Sequence, residues 1–132
     1  MTLNTNTCTN TDAAAIDLCA SSELAEGGLA VPFDVVVAGE ACRAFAIRFE
    51  GRAHAYLNRC THVAMELDWQ PNRIFDDTGQ WLLCASHGAV YAPDTGAGVA
   101  GPCQGGLLKI ELTETDGRVL WHPGAHVQPV VF

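Results

Sequence analysis

Two short groups of soft ligand residues, Cys60-Thr61-His62 and Cys84-Ala85-Ser86-His87, constrain this chain more than any other feature of it. Residues so close in sequence put both side chains of a group on one loop. Any fold that uses the four together must therefore bring two loops side by side across the intervening residues 63–83. Each group follows an apolar run, the first ending at Leu57 and the second being Trp81-Leu82-Leu83, so a rigid sheet can present the ligands at strand ends. His54, His122 and His126 have no neighbouring Cys and stand outside the pattern.

The surrounding texture is that of an all-β domain. Short runs rich in β-branched and aromatic residues, Phe33–Ala38, Cys42–Phe49, Arg52–Asn58, Trp81–Cys84, Val90–Ala92, Leu107–Leu112 and Arg118–His122, are separated by Gly, Pro and Asp. Glu50-Gly51 and Asp116-Gly117 lie between alternating runs and predict two hairpins, because Gly supplies the positive φ of a tight turn. Thr61–Gln80 interrupts the strands with a short turn of helix expected near Ala64–Trp69, then turn signals at Pro71-Asn72 and Asp76-Asp77-Thr78-Gly79. Residues 1–12 read as a disordered Thr/Asn-rich tail, and Asp12–Gly28 as a weakly patterned stretch with at most a helical turn around Ser22–Ala25. With no internal repeat, the rest reads as a single domain over 13–132.

Composition narrows the class. Of 132 residues 48% are hydrophobic and 17% charged, which excludes a disordered or coiled-coil chain. Seven Lys plus Arg against fifteen Asp plus Glu give a net charge of -8, unsuited to nucleic acid or an anionic membrane and suited to a basic protein partner. The first basic residue is Arg43, so no secretory or twin-arginine leader is expected. No apolar run approaches the ~20 residues that span a bilayer. A cytoplasmic location follows as the expectation, and in a reducing compartment the six cysteines are thiols or metal ligands rather than disulfides.

Three chemistries compete for the four ligand residues. Buried Cys and neutral His can pack an ordinary core. Two Cys and two His can close a tetrahedral zinc site, although typical zinc spacing pairs Cys with Cys and His with His, whereas each group here mixes one of each. The third chemistry is a mixed-ligand iron-sulfur centre. Cys60-Thr61-His62 and Cys84-Ala85-Ser86-His87-Gly88 resemble the two ligand loops of the Rieske 2Fe-2S family, and Gly101-Pro102 resembles the proline loop that covers its cluster. The resemblance runs from about Asp17 to His122, through Leu18-Cys19 and Leu24-Ala25-Glu26-Gly27 to the final hairpin, and is greatest to a soluble Rieske-type ferredoxin.

That resemblance implies a Rieske-like fold of stacked antiparallel sheets, with a small cluster-binding subdomain of two ligand loops within about residues 58–104. It implies one 2Fe-2S cluster, with Cys60 and Cys84 on one iron and His62 and His87 on the other. With two thiolates and two neutral imidazoles the oxidised centre is neutral, while four thiolates would leave it doubly negative. Adding an electron then costs less work, which lifts such centres to roughly -150 to +300 mV. High-potential members add a disulfide between the ligand loops, but Met65 and Ser86 occupy its positions here. They also place a Ser two residues after the last His and a Tyr four after it. This chain has Ala89 and Tyr91, so one hydrogen bond to cluster sulfur is missing and a low or intermediate potential is expected within that range. Gly88, Ala89, Tyr91 and Pro102 are thus the expected tuning positions. Ala64, where the family often has Gly, and the long spacer between the groups depart from the pattern.

Other residues have plainer readings. Cys103 reads as a spare buried thiol, and Cys8, Cys19 and Cys42 as structural or incidental. Trp69, Trp81 and Trp121 read as packing rather than electron stepping stones, and His54 as an outer-face strand residue. Asp76 and Asp77 read as a solvated turn. The resemblance implies a one-electron carrier between a reductase and a terminal oxygenase, with no small-molecule substrate of its own. A docked small subunit of a larger oxidoreductase is the alternative, favoured if the apolar end Val127–Phe132 is exposed. A zinc-holding interaction module is the third.

Overall fold

Alternation of small and large apolar residues along Ala44-Phe45-Ala46-Ile47 lets one strand line two cores at once, since successive side chains point to opposite faces. The computed structural model describes residues 15–59, 66–67, 72–84, 88–101, 106–124 and 127–129. In chain order their strands are β1 (Ile16–Ala20), β2 (Val31–Val37), β3 (Glu40–Phe49), β4 (Arg52–Leu57), β5 (Leu82–Leu83) and β6 (Val90–Tyr91). They continue with β7 (Gly98–Ala100), β8 (Lys109–Ile110), β9 (Leu112–Thr115), β10 (Arg118–Trp121) and β11 (Val127–Pro129). The strand pairs are antiparallel. A five-stranded sheet runs β11-β2-β3-β4-β8, a basal three-stranded sheet β9-β10-β1, and a second three-stranded sheet β5-β6-β7. The fold is all-β, as expected.

The centre of the five-stranded sheet, along β3 and β4, is buried on both sides. One face presents Val35, Ala44, Ala46, Ala55 and Leu57 to Cys19, Val119 and Trp121 of the basal sheet, and its three alanines let that sheet approach closely. The other face presents Phe45, Ile47, Phe49 and Tyr56 to Leu67, Ile74, Leu82, Cys84 and Tyr91 of the lobe that carries β5 and β6. Phe33 and Trp121 rings meet at 5.4 Å on the first side, and Phe45 and Tyr56 at 5.9 Å on the second. Trp121 is therefore packing, as read, while Trp81 is exposed.

Both expected hairpins form as mirror-image two-residue turns, with φ of 51° and 78° at Glu50-Gly51 and 51° and 76° at Asp116-Gly117. A third, Ala38-Gly39, joins β2 to β3 with φ of 52° and 78°. It went unanticipated because alanine is an uncommon residue at positive φ. The Glu26 carboxylate accepts from the N–H groups of Glu50 at 2.6 Å and Gly51 at 2.8 Å, fastening the β3–β4 turn to the N-terminal segment.

Several expectations are corrected. The stretch read as weakly patterned contains β1, paired with β10, and then a 3-10 turn at Ser21–Glu23. The run Leu107–Leu112 splits after Ile110, with β8 in the five-stranded sheet and β9 in the basal one. Neither β7 nor β11 was anticipated. In β11, Val127 pairs with Val37 and is buried, so the described part of the C-terminal end is used inside the domain and gives no exposed apolar tail. His54 is half-buried rather than fully on an outer face. Asp76–Gly79 is a turn as read, with Asp76 Oδ1 accepting from the Thr78 N–H and hydroxyl at 3.1 and 2.7 Å. The tail 1–12, most of the turn expected at Ala64–Trp69, and Cys8, Cys103, His126 and Val130–Phe132 lie outside the described residues. Among the described residues no helix is long and apolar enough to cross a membrane.

Candidate metal centre

The second ligand loop grows out of a short hairpin. Chain 74–83 folds back on itself, with Leu83 N–H donating to Ile74 O at 2.8 Å and Asp76 N–H to Trp81 O at 2.9 Å, and this delivers Cys84 at the end of β5. Cys84 N–H donates to Ala89 O at 2.8 Å, and Gly88 N–H returns to Cys84 O at 2.9 Å. The loop is thus closed at its base. The chain can turn there because Gly88 has φ of +76°. Cys84, Ala89 and Tyr91 are fully buried, in one cluster with Leu67 and Leu82.

The segment leading to Pro102 is pressed against that loop. Gly101 has φ of +76°, and a Cβ built on it would lie 2.5 Å from Gly88 O and 2.9 Å from Ala89 Cα. Only glycine permits this approach. Gly101 therefore lies against Gly88 and Ala89, while Pro102 lies outside the described residues.

The first ligand loop leaves β4 at Asn58. Asn58 N–H donates to Arg43 O at 2.8 Å, and its side-chain Oδ1 accepts from Leu67 N–H at 2.7 Å. Both ends of the 59–66 segment are thereby fixed. Cys60, His62 and His87 lie outside the described residues. Asn58 escaped the sequence reading, though an amide between apolar Leu57 and the Cys60 group was a usable signal. Arg48 escaped it too. It makes a bidentate pair with Glu114 at 3.2 and 2.6 Å and donates to Leu24 O at 2.8 Å, bridging the central and basal sheets. The Glu114 carboxyl is held below the usual carboxylate range chiefly by that bond.

Chemistry at Cys84 suits a metal. A thiolate in this apolar surround is costly by itself, and a bound cation offsets that cost while a soft ligand suits iron-sulfur chemistry. Cys19 makes the contrast: it too is buried, but within β1 in the opposite core, where burial pushes its thiol pKa up and no group of metal-ligating side chains forms among the described residues. Beside the Cys84 lobe the Tyr56 hydroxyl donates to Pro93 O at 2.8 Å, and burial raises its pKa.

A model of the Rieske [2Fe-2S] domain matches residues 14–113. The chain belongs to the Rieske family. Its cofactor is accordingly a 2Fe-2S cluster held by two Cys and two His. Comparison with curated protein sequences finds no match. Among solved structures, this Rieske chain is similar to the ferredoxin of carbazole 1,9a-dioxygenase from Nocardioides aromaticivorans IC177, with a TM-score of 0.65 and 21% identity over 85% of this chain and 100% of that one. The Sphingomonas yanoikuyae B1 ferredoxin gives 0.64 and 23% over 84% and 100%. The terminal oxygenase of carbazole 1,9a-dioxygenase from Novosphingobium sp. KA1 gives 0.66 and 23% over 89% of this chain and 31% of its own. At these identities the likeness is one of fold.

Proposed function

We propose that this Rieske protein is a one-electron carrier of the ferredoxin type, working in the cytoplasm between a reductase and a terminal oxygenase, with no substrate of its own. The observation that carries this reading is Cys84, fully buried at the mouth of a glycine-turned loop, within a fold whose likeness runs the whole length of two ferredoxins. Cys60 and Cys84 would hold one iron, and His62 and His87 the other. The bound cluster supplies reversible one-electron chemistry at a fixed place. The chain's own residues do the rest. The apolar cluster that contains Cys84 excludes water, the Gly88–Gly101 contact holds the chain leading to Pro102 against the base of the second loop, and the Asn58–Leu67 bond anchors the chain on either side of Cys60 and His62.

The net charge of -8 favours brief encounters with basic surfaces around partner redox centres. Reduction by a partner should slow as salt rises, and rates flat across ionic strength would remove the steering argument. Ala89 is fully buried beside Cys84, so Ala89→Ser places a hydroxyl at a dry site and should raise the potential, as read by voltammetry. The ligand assignment itself is tested by electron paramagnetic resonance of the dithionite-reduced protein. Mixed nitrogen and sulfur ligation gives a lower average g value than an all-thiolate cluster, and an all-thiolate spectrum would overturn the assignment.

A further inference from the structure

Asn58 is the buried polar residue among the described ones, 5% exposed, and stands two positions before Cys60. Burying an amide is costly unless it is hydrogen-bonded, and an apolar residue would fill a strand end more cheaply. Its backbone extends β4 by one step through the bond to Arg43 O. Its side chain does something else. Oδ1 receives Leu67 N–H at 2.7 Å, and the Leu67 side chain is fully buried in the cluster that contains Cys84, Leu82 and Tyr91. One carbonyl oxygen therefore ties the residue just past the end of β4 to Leu67, buried in the core that holds Cys84. The segment between them contains Cys60 and His62.

We propose that Asn58 is a positioning residue for the cluster. By pinning both ends of the 59–66 segment against the core that holds Cys84, it sets the separation of the two ligand loops, and with it how firmly the cluster is retained and how its electronic signature is tuned. The inference rests on the ligand assignment proposed above. A residue that served the fold alone would change the melting temperature and leave the cluster's spectrum and potential where they were.

The experiment compares wild type with Asn58→Leu, Asn58→Thr and Asn58→Asp as purified holoproteins. Leucine removes the acceptor at similar volume, threonine offers an oxygen too short to reach Leu67 N–H, and aspartate keeps an acceptor at the same reach. Cluster bleaching in excess iron chelator, g values of the reduced protein, reduction potential and thermal loss of the strand circular dichroism are read for each. Asn58→Leu and Asn58→Thr should bleach roughly 10-fold faster or more with shifted g values, and Asn58→Asp should stay within about 3-fold of wild type, by the usual weight of residues that orient metal ligands. A colourless Asn58→Leu protein with wild-type strand signal counts as the same loss. Wild-type bleaching, g values and potential in the leucine and threonine variants would overturn the proposal. So would equal damage in the aspartate and leucine variants, or strand signal lost together with the cluster in both acceptor-free variants. A wild-type spectrum without mixed ligation would instead sink the ligand assignment, before any variant is compared.

Discussion

On the basal side of the five-stranded sheet, β9 and β10 have four residues each and β1 has five, joined by ladders of four residue pairs each, the β10–β1 one with a bulge at Val119/Leu120, and by the Asp116-Gly117 hairpin. On the opposite side, β5 and β6 have two residues each and β7 three. The basal side adds two bidentate ion pairs, Arg48–Glu114 and Arg118–Asp17, the latter at 2.9 and 2.6 Å. The ligand lobe relies instead on loop hydrogen bonds, a buried Asn amide and a glycine contact. Long ladders resist local opening, whereas short strands with exposed loops open at lower free energy. The lobe therefore owes more of its order to what it binds than the base does.

Removing the cluster should widen that difference most strongly, since a site that exists only in the folded state converts binding energy into local stability. Hydrogen exchange on the iron-free protein should show the amides of Leu83, Cys84 and Gly88, which donate to Ile74, Ala89 and Cys84 carbonyls, losing protection by on the order of 100-fold. Amides of β3 and β4 should barely change. Uniform loss over both regions would mean the two sides fold as one unit and would defeat the comparison.

Next in size is a pair of glycine substitutions. Gly101→Ala meets both a positive φ and the Gly88 carbonyl at 2.5 Å, so strain and overlap add to about 3 kcal/mol or more, and the holoprotein should lose colour on heating well below wild type. Gly117→Ala in the basal hairpin has the same φ of +76° but nothing within 4 Å of the new Cβ, so it should cost only about 1 kcal/mol. Similar melting temperatures for the two variants would show that the Gly88–Gly101 approach does not tighten the lobe.

These two regions also differ in how far the sequence foretold them. The base and centre were legible where pattern and turn chemistry agree: Ala44–Ile47 alternates, and Glu50-Gly51 and Asp116-Gly117 carry their own turn signal. β1 and β11 were not, because Ile16–Ala20 and Val127–Pro129 are short and gain their order from distant partners, β10 and β2. In the lobe, the approach of Gly101 to Gly88 and Ala89 agrees with what the family resemblance implied, and no periodicity in the sequence marks it. The Asn58–Leu67 bond was not legible either, because no periodicity marks a side chain that accepts from a backbone N–H nine residues on. Arg48 likewise carried no signal of its own, because its partner Glu114 stands sixty-six residues away in the chain.

Arg48→Met keeps the stem and removes the bonds to Leu24 O, Ser21 O and Glu114, so it should cost about 2 kcal/mol in denaturant unfolding. Its reduced-state spectrum should match wild type, because the loss falls on the basal side. A shifted g value in this variant would show that strain passes through the central sheet to the ligand loops.

The smallest effect concerns His54, on β4 opposite Ile47 and on the same face as Tyr56, toward the lobe. Burial lowers its pKa most, Lys109 and Arg52 lower it further, and Asp94 opposes them. The unfolded chain therefore takes up a proton near the ordinary value of about 6.5 before the folded chain does. Stability from the neutral ring is present in full above that pH and is lost as pH falls from it toward the depressed folded value. One group contributes at most about 1.4 kcal/mol per pH unit over that window, and a half-buried one less. Melting temperatures of wild type and His54→Gln should therefore run parallel above pH 7 and converge or cross on acidification, with the glutamine variant flatter. Were the two profiles to stay parallel down to pH 5, His54 would be solvated in the folded protein. The lobe-facing side of β4 would then be open to water rather than sealed by Tyr56 and Lys109, and the apolar cluster around Cys84 would have to exclude water without help from that edge.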